Sequence, residues 1–452
     1  MGKNARQIAM EILVRMQRDA AYSNLTLDAA LRRNELPARD AALVSALVYG
    51  VEERLYTIDY QLSLYLKQPL KKLKPEVLAA LRLGVCQLLF MERIPSSAAV
   101  CESVSLVKQN GCAFAAGLVN AVLRKVSDAG ICLPEQEADA LQMLSIRYSF
   151  PEWLIEKWLN AYGRENTLSI LEACMAPAPL TVRVNTLQTT AEKLTVLLRQ
   201  DHVAAHAAAD VEDALVLDRA GAIERTKAYQ DGLFHVQDIS SQLCCKALDA
   251  QPGETVFDLC AAPGGKSFTV AERMRGEGSV CSFDLYPSRT ALIEQGAARL
   301  GITSVYPAVA DASCYNEAYG KADRVLCDVP CSGFGIVRRK PEIRYKPQGE
   351  VDKLPDLQYL ILRNAARYVK KGGRLVYSTC TLNPEENEAV CLRFLQENAS
   401  FRPVAPDLPE QLNARKDDNG FFTLFPEAGG RDGFYIAVFQ EVSVLIRRIS
   451  GR

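Results

Sequence analysis

The stretch Thr255-Val-Phe-Asp-Leu-Cys-Ala-Ala-Pro-Gly-Gly-Lys266 decides the fold. Thr255 to Leu259 is a short apolar run that follows the Pro252-Gly253 turn. A glycine-containing turn comes next, and then Phe268 to Met274, which reads as helix. Strand, tight turn and helix open a nucleotide-binding βαβ unit. The glycines let backbone approach a ligand, and the helix start offers unpaired N–H groups. A second strand, Ser279 to Leu285, carries Asp284. That acid falls about 20 residues beyond the turn, where a carboxylate can accept both ribose hydroxyls. A triphosphate loop needs Gly four residues before Gly265-Lys266-Ser267, but position 260 is Cys. The Gly-x-Gly-x-x-Gly order of dinucleotide folds is also missing. An S-adenosylmethionine turn fits best, and a glycine turn that merely joins strand to helix is the alternative.

Working outward, the doubly wound pattern runs from about residue 246 to 445. Strand signals recur at 255–259, 279–284, 305–310, 323–327 and 374–379, with helical spacing between them. Gly420 to Phe425 and Phe434 to Phe439 read as a terminal antiparallel pair. Upstream, residues 140–245 mix helix and strand. Phe150 to Trp158 opens a helix with Pro151 near its first position, Leu180 to Asn185 alternates like a strand, a helix covers Ala191 to Arg199, and short strands lie near Ala214–Leu217 and Gly232–Val236. This is a small α+β subdomain. Residues 1–130 read as all helix, about seven short helices in one bundle. Ile8, Ile12, Leu13 and Met16 mark an apolar face after an Asn4 cap, and Pro75 and Pro95 separate later helices. A polar linker spans Ser127 to Asp139.

With 452 residues, 48% hydrophobic and 24% charged, the chain has core material for two or three domains. No apolar run approaches the roughly 18 residues of a membrane span, and the N-terminus lacks the apolar block of a signal peptide, so a cytoplasmic monomer is expected. The net charge of −1 provides no global attraction for polyanions. Nucleic-acid binding would rest on local patches such as Lys71-Lys72-Leu-Lys74 and Arg338-Arg339-Lys340, each of which also reads as a solvated face. The 14 cysteines form no Cys-x-x-Cys pair, and only three histidines are present. His202 and His206 have helical spacing but no further ligands nearby, so no metal site is expected. A side-chain nucleophile would be a cysteine.

In an open α/β sheet, ligands gather at the carboxyl ends of strands. Four such ends carry Asp284, Asp311, Asp328 and Cys380. Asp311 could accept from an adenine amino group or could cap its own loop. Asp328-Val-Pro-Cys-Ser-Gly333 places a carboxylate and a thiol within four residues. Ser378-Thr-Cys-Thr381 ends the next strand, and Asn383-Pro-Glu-Glu386 looks like an N-cap, a proline at the first helical position and a glutamate at the third. A helix start beside Cys380 would favour a thiolate. A thiolate and a methyl donor together suggest methylation at carbon 5 of cytosine. Thiolate addition to carbon 6 makes carbon 5 nucleophilic, and a carboxylate near N3 favours the addition. The base must lie outside a stack, so single-stranded or flipped RNA is expected.

Asp258 to Lys266, Asp328 to Gly333 and Ser378 to Thr381 together resemble the RNA 5-methylcytosine methyltransferase family, whose catalytic domain has the Rossmann-like class I methyltransferase fold. Leu81 to Phe90 and Gly117 to Arg124 resemble the NusB-type RNA-binding fold, and the middle subdomain is similar to an RRM-like module. The combination is similar to the ribosomal RNA branch of the family. The resemblance implies S-adenosylmethionine as cofactor and a hairpin-loop cytosine of 16S ribosomal RNA as substrate. It implies Cys380 as nucleophile, Cys331 as the cysteine linked to product release, and Asp328 near both cofactor and cytosine. It further implies Cys260, Ala261, Ala262, Pro263, Gly264, Gly265 and Lys266 as the cofactor loop, with Asp284 at the ribose and Asp311 near adenine. Val329 and Phe334 stand where the family usually has Ala and Thr, which puts the pocket wall in question. A transfer-RNA methyltransferase of the same family and a non-catalytic NusB-like RNA-binding factor remain as alternatives.

Overall fold

The computed structural model describes residues 3–19, 23–34, 36–134, 140–218 and 221–442. The chain divides into two compact units, Met1–Thr167 with Val337–Lys346, and Leu168–Ile336 with Pro347–Arg452.

The first unit is helical. It contains α1 (Ala5–Asp19), α2 (Ser23–Asn34), α3 (Ala38–Glu53), α4 (Leu55–Ser63), α5 (Pro75–Phe90), α6 (Ser96–Gln109), α7 (Ala116–Ala129) and α8 (Ala140–Tyr148). Asn4 caps α1 as expected. Its Oδ1 accepts from the Gln7 N–H, and Gln7 Oε1 accepts from the Asn4 N–H, so two otherwise unpaired donors satisfy each other's residues. Pro75 sits in the first turn of α5, where its missing N–H costs nothing. Ile8, Leu13, Val44, Leu47, Leu81, Val119 and Leu123 meet in one buried core. Each such aliphatic side chain contributes about 1.5–3 kcal/mol by leaving water. The expected linker begins later than Ser127, because α7 continues to Ala129, and residues 135–139 lie outside the described set.

Val337–Lys346 belongs to this helical unit although it lies far along the chain from the helices, among residues of the other unit. Arg344 is wholly buried and donates from Nη1 to the carbonyls of Glu53 (2.8 Å) and Tyr148 (3.3 Å). Tyr345 donates its hydroxyl to the Glu52 carbonyl at 2.7 Å. Burial pushes the nearby Glu52 carboxyl up to about 7. Arg338 is buried too, so the solvated face expected at 338–340 is reduced to its last two residues.

The span α9 (Glu152–Met175) is two helices separated by a kink at Gly163, which has φ 75°. The second unit starts within it and holds two sheets. In the smaller, β2 (Ala204–Ala207), β3 (Ala214–Asp218), β1 (Leu180–Val184) and β4 (Phe234–Val236) pair antiparallel in that order, beside α10 (Ala191–Gln200) and α11 (Lys227–Gln230). His206 lies on β2 and His202 in the preceding turn, so the pair shares no helix. No group of three or more potential metal ligands occurs among the described residues.

The larger sheet follows α12 (Ile239–Leu248). Its parallel part, in spatial order, is β9 (Val369–Thr379), β8 (Ala322–Asp328), β5 (Thr255–Asp258), β6 (Ser279–Asp284) and β7 (Val305–Val309). Helices α13 (Gly265–Arg273), α14 (Pro287–Leu300), α15 (Gln348–Val351), α16 (Leu354–Tyr368) and α17 (Glu388–Glu397) fall between or after these strands. Apolar clusters cover both faces. Val256, Val280, Leu326 and Val376 lie in one, and Phe257, Val325, Leu375 and Tyr377 in the other, as period-2 alternation requires. The expected late pair is β12 (Phe422–Leu424) and β13 (Phe434–Glu441), and β13 also runs antiparallel beside β9. Two strands not foreseen, β10 (Phe401–Pro403) and β11 (Ala414–Lys416), complete this mixed edge. Among the described residues no helix is long and apolar enough to cross a membrane.

Candidate active site

The order β9-β8-β5-β6-β7 places the carboxyl ends of five strands side by side. Asp258 ends β5 and is buried. Its Oδ2 accepts from Ser267 Oγ at 2.7 Å, and Ser282 Oγ donates to Ser267 Oγ at 2.8 Å. Burial pushes the Asp258 carboxyl up to about 7. This aspartate braces the loop from beneath. Gly264 has φ 110°, and a Cβ there would lie 2.4 Å from the Phe268 ring, so only glycine makes this turn without displacement. The Ala262-Pro263 peptide is cis.

Asp284 ends β6 against the same loop. Its Oδ2 accepts from the Ala262 N–H at 3.2 Å and lies 3.4 Å from Arg289 Nη1, while Oδ1 accepts from the Tyr286 N–H. Asp311, after β7, is exposed. Its Oδ1 accepts from the Ser313 hydroxyl (2.6 Å) and N–H (2.8 Å), which holds its carboxyl below the ordinary carboxylate range. It therefore caps its own loop.

Lys266 turns its ammonium toward β8 rather than out of the loop. Nζ lies 2.7 Å from Asp328 Oδ2, 3.3 Å from Ser241 Oγ and 5.2 Å from the Phe434 ring centre. Burial alone would lower the lysine, but the Asp328 carboxylate overrides it and the net shift is upward, so the ammonium stays charged. Ser378 Oγ donates to Asp328 Oδ1 at 2.8 Å, matching the β8–β9 register that pairs Asp328 with Ser378. The acid is thus held on both oxygens.

Cys331 and Cys380 come together, with their sulfurs 3.3 Å apart. The hydrogen bond to Cys380, reinforced by burial, pushes the Cys331 thiol well up. The Gly335 N–H donates to the Cys380 carbonyl at 2.9 Å, and the Gly433 N–H donates to the Gly335 carbonyl at 3.0 Å. A Cβ on Gly335 would lie 2.0 Å from the Gly433 oxygen and 2.8 Å from the Cys380 oxygen. Gly335→Ala is therefore expected to cost about 1–3 kcal/mol by overpacking. Thermal denaturation checks this, and an unshifted midpoint would show that the backbone yields there.

No disulfide forms among the described residues. At 3.3 Å, however, the two thiols need only a small approach to bond. Hydrogen peroxide is expected to convert them to a disulfide while being reduced to two waters. Intact mass and thiol mapping, with reversal by dithiothreitol, check the outcome; unmodified Cys331 and Cys380 beside an oxidised surface thiol such as Cys101 would contradict it.

Sequence reasoning missed part of this arrangement. The helix expected to begin at Asn383 starts at Glu388. Glu386 does not turn back to cap it; its side chain is buried and accepts from Ser332 and Gln358. Asn383 accepts from the Glu385 N–H at 3.4 Å and caps a turn instead. Val329 and Phe334 are both buried, and Val329 packs in the apolar cluster with Phe257 and Tyr377. Asp258 stood in the quoted motif, but only its burial reveals the bracing role.

Known proteins share this architecture. A family model described as 16S rRNA methyltransferase RsmB/F matches residues 245–440, a NusB family model matches 3–128, and a ferredoxin-like domain model of RsmF/B-like methyltransferases matches 150–224. A probable ribosomal RNA small subunit methyltransferase B of Bacillus subtilis is 38% identical over 97% of this chain and 99% of its own length. Ribosomal RNA small subunit methyltransferase B of Thermus thermophilus is 33% identical over 97% of this chain and 98% of its own. The solved structure of a methyltransferase homolog protein from Pyrococcus horikoshii superposes with a TM-score of 0.60 at 27% identity, covering 68% of this chain and 100% of that one. With a NusB-type helical part, a ferredoxin-like sheet and a mixed methyltransferase sheet in one polypeptide, the chain belongs to the 16S rRNA methyltransferase RsmB/F family.

Proposed function

We propose that this protein methylates carbon 5 of a cytosine in 16S ribosomal RNA, with S-adenosylmethionine as methyl donor and Cys380 as covalent nucleophile. The observation that carries the reading is the pair of sulfurs 3.3 Å apart beyond the ends of β8 and β9, with the lysine-held carboxylate of Asp328 ending β8 and the glycine loop following the next strand, β5. The residues present suit the donor. Cys260 to Lys266 form the loop, Asp284 offers a carboxylate at the neighbouring strand end, and Asp311 lies beyond it. When bound, the cofactor supplies an electrophilic methyl group.

The rest is done by the chain. Cys380 Sγ adds to carbon 6, and the electron pair of the 5,6 double bond makes carbon 5 nucleophilic. Asp328, fixed by Lys266 and Ser378, would accept from the exocyclic amine and orient the base, and the Lys266 ammonium beside it would offset the negative charge that the addition puts on the ring. Methyl transfer releases the donor as the neutral thioether S-adenosylhomocysteine. A solvent water then takes the carbon 5 proton, the electron pair of that C–H bond re-forms the 5,6 double bond, and the carbon 6–sulfur bond breaks to return the Cys380 thiolate. Cys331 offers its S–H to that departing sulfur.

The names of the relatives favour ribosomal over transfer RNA as substrate. Transfer of labelled methyl groups to 16S rRNA and tRNA transcripts tests this, with the methylated position read by bisulfite sequencing. Methylation of tRNA alone would reassign the substrate; no methylation of either, with no cofactor bound, would leave the RNA-binding alternative.

A further inference from the structure

Glu386 is wholly buried six residues beyond Cys380, and four donors converge on its two oxygens. Oε2 accepts from the Ser332 N–H and from Gln358 Nε2, each at 2.8 Å. Oε1 accepts from Ser332 Oγ at 2.5 Å and from Asn383 Nδ2 at 2.9 Å. Ser332 is the neighbour of Cys331. Its hydroxyl also lies 2.6 Å from the hydroxyl of Thr381, the neighbour of Cys380. Gln358 uses the same nitrogen to hold the Pro330 carbonyl at 2.9 Å. The residues flanking both thiols therefore meet at one carboxylate.

The proton directions follow. Ser332 gives its hydroxyl hydrogen to Glu386, so Thr381 donates to Ser332 Oγ, and the Phe334 N–H donates to Thr381 Oγ1 at 3.3 Å. Only an acceptor with no hydrogen of its own to place satisfies this set. Glutamine has one acceptor oxygen and two N–H donors, so it would set donor against donor. Aspartate keeps both oxygens but is one methylene shorter.

We infer that Glu386 is a positioning residue that sets the spacing and approach of the two thiols, acting through Ser332 and Thr381 and braced by Gln358. The inference rests on the reading of Cys380 as nucleophile. Contacts to a charged acceptor are the stronger and shorter kind, which suits a clamp. A misplacement of about 1 Å at a reacting group costs roughly 100-fold in rate.

The test compares full-length wild type, Glu386→Gln, Glu386→Asp and Gln358→Leu. Four quantities are measured: kcat and KM on a 16S rRNA transcript, S-adenosylmethionine binding by calorimetry, the melting midpoint, and the rate at which peroxide joins Cys331 to Cys380. In Glu386→Gln, kcat is expected to fall about 100-fold and disulfide formation to slow. Cofactor affinity should stay unchanged, and Glu386→Asp should recover at least tenfold of the loss. If Glu386→Gln does not fold, Gln358→Leu carries the test with an expected loss of about tenfold in kcat. Wild-type kcat and disulfide rate in the folded variants would overturn the inference. So would equal losses in Gln and Asp variants accompanied by weakened cofactor binding. If Cys380→Ala retains methylation while Glu386→Gln still slows the disulfide, the clamp stands and the nucleophile assignment falls.

Discussion

Cys380→Ala is expected to lower methyl transfer to 16S rRNA by roughly 10⁴-fold or more, as loss of a covalent nucleophile does elsewhere. Carbon 5 of cytosine is a weak nucleophile until a group adds at carbon 6, and under the proposed function the sulfur at position 380 is the atom that adds. The variant should still bind S-adenosylmethionine, because the glycine loop and Asp284 belong to β5 and β6, whereas Cys380 follows β9. It should form no denaturation-resistant complex with a 5-fluorocytidine-containing transcript. The fluorine on carbon 5 blocks the elimination that frees the wild-type enzyme, so wild type should be trapped. Calorimetry, labelled methyl transfer and gel shift under denaturing conditions read these three quantities. Retained methylation would exclude Cys380 as nucleophile, and lost cofactor binding would mean that the substitution had disturbed more than one sulfur.

Cys331→Ala is expected to give the complementary result, with adduct formed but not resolved. The Cys331 thiol is pushed well up by its hydrogen bond to Cys380 and by burial, so it keeps its hydrogen. With the two sulfurs 3.3 Å apart, a Cys331 S–H can stabilise the thiolate as it leaves carbon 6. Removing it takes away a hydrogen bond present when the thiolate departs. Turnover should slow by about 10²–10⁴-fold, the range of positioned proton donors. A stable protein–RNA complex should then accumulate on ordinary cytosine, without fluorine. Normal turnover and no accumulated complex would remove Cys331 from product release. The double variant should resemble Cys380→Ala, because no adduct exists whose breakdown could be slowed.

The sequence displayed the parallel core well. Val256, Val280, Val325 and Leu375 lie in strands covered on both faces, and such strands read as apolar runs. The ends of those strands could then be read as a row of acids and thiols. The short strands β2, β10 and β11 did not show themselves. They have three or four residues each, and β2 and β11 are largely exposed, so they lack a run long enough to alternate visibly. Glu386 was misread for another reason. Asn-Pro-Glu-Glu carries the local signature of a helix start, but the carboxylate answers to Ser332 and Gln358, which lie 54 and 28 residues away. Local patterning cannot register such distant donors. Arg338 and Arg344 were hidden in the same way. A basic run reads as wet until the buried surroundings that receive it are known.

The membership of Val337–Lys346 in the helical unit bears on the order of biosynthesis. A ribosome releases the helices up to Thr167 long before it reaches Arg344 and Tyr345, which donate to the carbonyls of Glu52, Glu53 and Tyr148. These last contacts of the amino-terminal helices must therefore wait while some 170 further residues are translated. Folding from the amino terminus onward, the usual vectorial route, cannot finish this unit first. A fragment ending at Thr167 lacks its last stitches.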